Sequence, residues 1–412
     1  MASVTVVRKK SDRVRPGIKL YFDYWLLLAA TGLIVIGMLM VYSTTFDLGL
    51  LVHEQPTYYF RRQLVALGLG VFASLILMQF DYHILRRFSV VLMLFTLGSL
   101  VFLLLFGDEN FGAARGLYAN SYQPSELAKL ATIMYIAHWL SSKGERIKDI
   151  SYGLLPFSFI TGVICFLVVA QPDLSTAGLI AIISLTIFFV AGAELKQFFI
   201  AGTVGGGIFV FLMLTVPHAA ARVAAWQEVL RDPNLAIWQV RQALIALGSG
   251  GLLGVGLGNS TQKFGPLPAA HTDGVFAIAG EELGLAGSLL IILLLGMLVW
   301  RGIRTAQAAR DSYGGLLALG ITCWLAYQAL INIAVITAVI PFTGIPLPFL
   351  SYGGSSLLIS IIGVGILLNI SRDAHLATRS QPQQSVTESI RASIGLRRGN
   401  GRSHLSRSGN GR

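Results

Sequence analysis

Charge is scarce in this 412-residue chain: Asp, Glu, Lys and Arg make up 12% of it, while hydrophobic residues make up 54%. A soluble domain carries roughly 25% charged residues, so an ordinary water-soluble fold is excluded and a membrane protein is expected. Cysteine is nearly missing as well. Cys165 and Cys323 lie far apart in separate apolar runs, which fits two small buried hydrophobes and argues against a disulfide-stapled scaffold. No zinc-type spacing, nucleophile elbow or Walker lysine occurs. Gly254-Val255-Gly256-Leu257-Gly258 looks faintly like a nucleotide loop. No strand precedes it and no βαβ unit fits around it, so nucleotide binding is rejected, and close helix approach or a re-entrant turn is expected instead.

Acidic residues are outnumbered, 20 against 31 Lys and Arg, for a net charge of +11. The placement of the basic residues excludes nucleic acid as the reason, since no motif that reads DNA or RNA accompanies them. Six (Arg8, Lys9, Lys10, Arg13, Arg15, Lys19) precede the first apolar run, and eight lie beyond Ser371. Basic tails beside membrane spans fit the positive-inside rule and attraction to anionic lipid. The first apolar run begins after a polar stretch, has full span length and lacks a small-x-small cleavage site, so it is expected to be an anchor and not a cleaved signal.

Apolar runs long enough to span, on the order of 20 residues each, predict an all-α polytopic membrane protein with ten transmembrane helices. They run over Tyr24–Tyr42, Gln63–Gln79, Phe88–Phe106, Leu127–Leu140, Leu154–Ala170, Leu174–Ala191, Phe198–Val216, Phe276–Val299, Leu316–Ile340 and Leu357–Ile370. Three regions are expected: a basic cytoplasmic tail at 1–22, a transmembrane domain at 23–371, and a basic, disordered cytoplasmic tail at 372–412. An even count puts both termini on one side, and the tails make that side the cytoplasm. Nine further cations then fall in cytoplasmic loops: Arg86, Arg87, Lys143, Arg146, Lys148, Lys196, Arg301, Arg304 and Arg310. Only Arg61, Arg62, Arg115, Lys129, Arg222, Arg231, Arg241 and Lys263 remain for outward loops or span interiors.

The longest outward loop, 217–275, separates spans seven and eight. Ala220–Leu230 and Ile237–Ala246 within it alternate apolar and polar residues at helical spacing and predict short interfacial helices. A second loop, Gly107–Ser125, is polar. In the third, Pro341–Tyr352, three prolines forbid a continuous helix. Irregular backbone at membrane depth is tolerated only against protein or a water-filled cavity, so a cavity on the outer face is expected.

Asp273 is the strongest single candidate for chemistry. It stands at the mouth of span eight with His271, Lys263, Glu281 and Glu282 nearby; the plainer alternative is a helix N-cap. One carboxylate over an acceptor hydroxyl suffices as general base when the leaving group departs as a stable anion. In Gln123-Pro124-Ser125-Glu126-Leu127-Ala128-Lys129 the proline starts span four, and Glu126 and Lys129 share a face. They are either an ion pair or part of a pathway. Asp173, in the turn before span six, is an N-cap or a pocket wall. Arg115 is a lone cation among small residues, suited to phosphate or simply solvated.

Taken together these segments resemble the SEDS family, the FtsW/RodA/SpoVE group of peptidoglycan glycosyltransferases. The resemblance covers most of Asp23 to Ile370. It rests on Gln123-Pro124-Ser125-Glu126 with Lys129, Gln171-Pro172-Asp173, Gly248 through Gly258, Gln262-Lys263, His271-Thr272-Asp273 and Glu281-Glu282-Leu283-Gly284. The run from Gly344 to Ser356, GIPLPFLSYGGSS, is the most specific part. The resemblance implies polymerisation of lipid II at the outer face of the cytoplasmic membrane, with Asp273 as catalytic base. It implies substrate contacts at Arg115, Gln123, Glu126, Lys129, Asp173, Lys263, His271, Glu282, Ser351, Tyr352 and Ser355. Charge on the departing diphosphate would be met by Lys129, Arg115 and Lys263, or by a divalent cation, Mg2+ or Mn2+. The implied partners are an FtsI-like class B penicillin-binding protein and other divisome proteins. Gly116, Ala269, Gly274 and Ser175 depart from the family's usual residues. Within the family, Gly256 to Lys263 looks more like the FtsW members than the RodA members. A lipid II flippase and a non-catalytic division scaffold are the competing readings.

Overall fold

The structure, a computed structural model, describes residues 22–106, 123–231, 238–264 and 267–374. Arg115, Gly116 and nearly all of both basic tails lie outside them. The described chain is helical throughout, with no strand. Helices α1 (Tyr24–His53), α2 (Tyr58–Leu77), α3 (His83–Phe106) and α4 (Pro124–Ser141) come first. They are followed by α5 (Leu155–Ala170), α6 (Leu174–Val190), α7 (Leu195–Thr215), α8 (Pro217–Arg231) and α9 (Trp238–Ser249). The last three are α10 (Val275–Ala308), α11 (Ser312–Ile336) and α12 (Gly354–Ala374).

Eight helices among the described residues are long and apolar enough to cross a membrane. Two further helices occupy the places of the fourth and sixth expected spans: α4, which carries Glu126 and Lys129, and α6, which is apolar but only 17 residues long. The chain is a multi-pass, all-helical membrane protein. α2, α3, α5 and α7 turn large side chains such as Phe72, Phe95, Phe159 and Phe211 outward, where only lipid could cover so much apolar surface. α4, α11 and α12 are buried on nearly every side and form the centre.

Several expected boundaries move. α1 runs to His53 instead of Tyr42, because the Ser-Thr-Thr turn continues the helix: Thr44 and Thr45 hydroxyls donate back to the Met40 and Val41 carbonyls. The eighth span is longer than Phe276–Val299, reaching Ala308. The ninth ends earlier than Ile340, since Ala338 takes a left-handed φ of 60° ahead of Pro341. The two short helices expected inside 217–275 are present as α8 and α9.

α10 is broken at Gly284, whose φ of 67° and ψ of −166° no L-residue adopts comfortably. The break orphans backbone groups that membrane depth cannot leave unpaired, and the glycine-rich segment supplies the partners. Val255 and Gly256 N–H donate to the Glu281 and Glu282 carbonyls at 3.0 and 3.1 Å, while Leu285 and Ala286 N–H donate to Gly251 and Leu252 carbonyls at 2.9 and 3.1 Å. Only glycine allows this approach: a Cβ on Gly254 would stand 2.2 Å from the Glu282 carbonyl oxygen, and one on Gly284 2.3 Å from the Gly254 nitrogen. Gly284→Ala is therefore expected to cost about 2 kcal/mol or more from backbone strain and clash. Thermal unfolding in detergent checks it. Gly296→Ala, in the same helix with open space at the Cβ position, should be neutral or slightly stabilising.

At the end of the bundle away from Asp273, Asp23 caps α1 and pairs with Arg301 at 2.6 Å, and its N–H donates to Ser371. These contacts tie α1, α10 and α12 together. Tyr82 likewise donates to Asp311, linking the α2–α3 turn to the start of α11.

Candidate functional site

Helices α4 at Pro124, α6 at Leu174, α10 at Val275 and α12 at Gly354 begin at the Asp273 end, as does α2 at Tyr58. Local sequence explains two of these starts. Proline occupies the first position of α4, and Asp173 caps α6 by accepting from the Thr176 N–H at 3.2 Å. Contacts chain these starts together. Ser125 Oγ donates to the Asp173 carboxylate at 3.4 Å, and Ser175 Oγ donates to the Thr343 carbonyl at 2.7 Å. Asp173 is thus both the helix cap and part of the wall.

The irregular segment between α11 and α12 forms the floor beneath Asp273. Gly344 has a left-handed φ of 72°, and a Cβ added there would lie 3.4 Å from Asp273 Oδ2. The carboxylate therefore lies within van der Waals reach of Gly344, whose backbone conformation favours glycine. The N-cap of α10 is Gly274, not Asp273. Gly274 is buried, and a Cβ there would meet Leu267 at 3.0 Å. The start of α10 is therefore closely packed.

Two amides one turn apart on α11 hold this floor. Asn332 Nδ2 donates to the Asp273 carbonyl at 3.0 Å and to the Ile345 carbonyl at 2.8 Å. Gln328 Nε2 donates to the Pro346 carbonyl at 2.9 Å, and its oxygen accepts from Lys129 Nζ at 2.9 Å and Trp324 Nε1 at 2.7 Å. Lys129 also pairs with Glu126 at 2.9 Å, both nearly sealed from solvent. On the other flank Ser351 Oγ donates to the Thr272 carbonyl at 2.6 Å and accepts from the Leu347 N–H. Tyr352 N–H donates to the His271 carbonyl at 2.8 Å. Gln63 on α2 brackets the same turn, donating to the Ser351 carbonyl and accepting from the Gly353 N–H, both at 3.3 Å. Burial lowers the His271 pKa from its ordinary value, keeping the ring neutral near pH 7.

The adjacent glutamates of α10 face a different set of partners. Glu281 accepts from Ser260 Oγ, Thr261 N–H and Thr261 Oγ1. Glu282 accepts from Ser43 Oγ on α1 and pairs with Lys263 at 3.1 Å. Lys263 also donates to the Gly258 carbonyl at 2.6 Å. Lys129 and Lys263, expected to meet diphosphate, are each matched by a carboxylate inside the protein. Gln123 holds the N-cap position of α4 and Ser355 the first turn of α12, both half-buried. α8 and α9 cover one side: Trp226 Nε1 donates to the Ala338 carbonyl at 3.0 Å, and Gln239 to the Pro268 carbonyl at 3.2 Å. Among the described residues no group of three or more His, Cys, Asp or Glu could hold a metal ion.

This layout has close relatives. The family model described as "Cell cycle protein", of the FtsW, RodA and SpoVE type, matches residues 24–376. The chain belongs to this family. It is 41% identical over 354 residues to Stage V sporulation protein E of Bacillus subtilis, covering 85% of this chain and 97% of that one. It is 39% identical over 360 residues to the probable peptidoglycan glycosyltransferase FtsW of Trichlorobacter lovleyi, covering 86% and 94%. Among solved structures, the Thermus thermophilus rod shape determining protein RodA superposes with a TM-score of 0.64 at 26% identity, covering 86% and 98%. A chain from a structure titled for coordination of polymerization and crosslinking by a peptidoglycan synthase complex gives a TM-score of 0.68, again at 26% identity and with 86% and 98% covered. The SEDS expectation and the all-helical fold are thereby established.

Sequence reasoning missed Gln328, Asn332 and Gln63. The signal was available: Gln328 and Asn332 stand four apart in an otherwise apolar span, on one face.

Proposed function

We propose that this chain is a peptidoglycan glycosyltransferase that polymerises lipid II at the outer face of the cytoplasmic membrane in the division role of the FtsW members. The observation that carries the reading is the Asp273 carboxylate beside Gly344, at the end of the bundle where α2, α4, α6, α10 and α12 begin. Helix N-termini favour anions without any lysine being spent, which suits a diphosphate leaving group now that Lys129 and Lys263 are matched internally. Arg115 remains the proposed cation for the diphosphate. In this mechanism Asp273 takes the proton from the 4-hydroxyl of one GlcNAc as it attacks the MurNAc anomeric carbon of the growing chain. Undecaprenyl diphosphate leaves as a stable anion, so no paired acid is needed, and the centre inverts. His271, Ser351 and Tyr352 position the loop that carries the base.

The orientation has support in charge. Arg86, Arg87, Lys143, Arg146, Lys148, Lys196, Arg301, Arg304 and Arg310 all belong to the end opposite Asp273, and this excess of cations supports a cytoplasmic location for that end and for both termini. An FtsI-like class B penicillin-binding protein and other divisome proteins are the proposed partners. The synthase-complex neighbour supports a transpeptidase, and the FtsW-named relatives support division over a RodA-type elongation role. An apolar groove of about 670 Å³ lined by Leu97, Val101, Phe159, Gly162 and Phe166 lies between α3 and α5. It suits the polyprenyl tail. Gly162→Leu should fill it, since a Cβ at Gly162 meets nothing within 4 Å. The expected result is a several-fold higher KM for long-chain lipid II and little change for a short-chain analogue.

Purified protein with its cognate transpeptidase, in liposomes with fluorescent lipid II, tests the reading. Polymer without leaflet transfer supports a glycosyltransferase. Transfer without polymer supports a flippase and contradicts it.

A further inference from the structure

A cluster of rings lies against the Asp273 loop and takes no part in the proton transfer. At the joint of α1 and α2, His53 stacks on Tyr58 with centroids 3.8 Å apart. Tyr59 stands edge-on to Tyr58 at 5.3 Å and edge-on to Tyr352 at 5.3 Å, with His271 6.4 Å away. His271 and Tyr352 are themselves 5.9 Å apart. The rings thus form one unbroken ridge from the end of α1 to a point two residues before the base. Arg62, one turn along α2, holds its guanidinium 5.6 Å from the Tyr58 centroid. Tyr58, Tyr59, His271 and Tyr352 are half-buried and His53 is exposed, so the ridge is accessible along its length.

We propose that this ridge is a saccharide-binding subsite that holds the glycan next to the reacting sugar, with Tyr59 as its central stacking residue. The proposal rests on the glycosyltransferase reading above. Pyranose rings present a face of axial C–H groups that packs on an aromatic face, while their hydroxyls seek donors and acceptors at the rim. The ridge offers both: five rings, three phenol hydroxyls, two imidazoles and one guanidinium, and no carboxylate among them. An interfacial aromatic belt is the simpler explanation for Tyr near a membrane boundary. Belt residues, however, have no reason to link edge to face across α2, the His271 loop and the start of α12. A highly charged ligand is disfavoured because, among the described residues, Arg62 is the one cation over a ring of the ridge. A neutral, hydroxyl-rich chain fits better.

A lipid-free peptidoglycan tetrasaccharide, titrated into the full-length protein in detergent by saturation-transfer NMR, tests the subsite without requiring turnover. Tyr59→Ala should weaken binding by about tenfold, the loss of one stacked ring, and Tyr59→Phe should bind like wild type because it keeps the ring. In polymerisation, Tyr59→Ala should raise KM and shorten the glycan chains with kcat within about twofold. Equal binding by wild type and Tyr59→Ala overturns the proposal. So does equal loss in the Ala and Phe variants, which assigns the effect to the hydroxyl or to folding. If Asp273→Asn still polymerises while the Tyr59 pattern holds, the base assignment fails and the subsite stands.

Discussion

Asp273→Asn is expected to lower kcat for glycan polymerisation by a factor of about 10² to 10⁴, the span attributed to a positioned general base. KM should change little, because the backbone contacts that seat this residue survive the change. Asn332 holds the Asp273 carbonyl, and Ser351 and Tyr352 hold the carbonyls of Thr272 and His271. None of these involves the carboxylate, and asparagine has the same shape. Thermal stability should therefore remain near wild type. Asp273→Glu should recover little activity, since a longer side chain moves the base off the cradle above Gly344. Steady-state kinetics of the three proteins, each beside its melting curve, check the split between chemistry and fold.

Lys129→Met is expected to destabilise the protein by about 3 to 5 kcal/mol, the cost of leaving one member of a buried ion pair alone. Glu126 is buried and its Oε2 already has no hydrogen-bond partner among the described residues, so removing Lys129 leaves a carboxylate with little to hold its charge. Gln328 would lose a donor as well, and Gln328 holds the Pro346 carbonyl in the floor of the site. The same variant should thus lower activity in the fraction that folds. The double variant Glu126→Gln with Lys129→Met should recover most of the stability, because the orphaned charge is gone. A double-mutant cycle read by thermal unfolding decides it. Recovery of stability without recovery of activity would mean that the pair also touches substrate.

Much of the architecture was legible in the chain. Long apolar runs located the membrane helices, and helical spacing in 217–275 located α8 and α9. The Asp273 loop was found from charge at a span boundary together with the Gly344 to Ser356 run. What was hidden follows from the limits of local pattern. The helix break at Gly284 is stabilised by a segment some thirty residues earlier, and nothing in the order of residues says that Gly250 to Gly256 lies against it. Glu126 was legible as a neighbour of Lys129, but Gln328, which also accepts from Lys129, and Ser43, which accepts from Lys263, come from distant helices. Gln63, Gln328 and Asn332 were passed over as minor polar interruptions, yet they hold the floor of the site.

The most direct test is a glycan ladder. Purified protein with its cognate transpeptidase would be given lipid II, with penicillin to block crosslinking and moenomycin to silence other polymerases, wild type beside Asp273→Asn. A ladder from wild type and none from the variant is the predicted result. Equal ladders would remove Asp273 from the chemistry, and no ladder from either would contradict the polymerase itself.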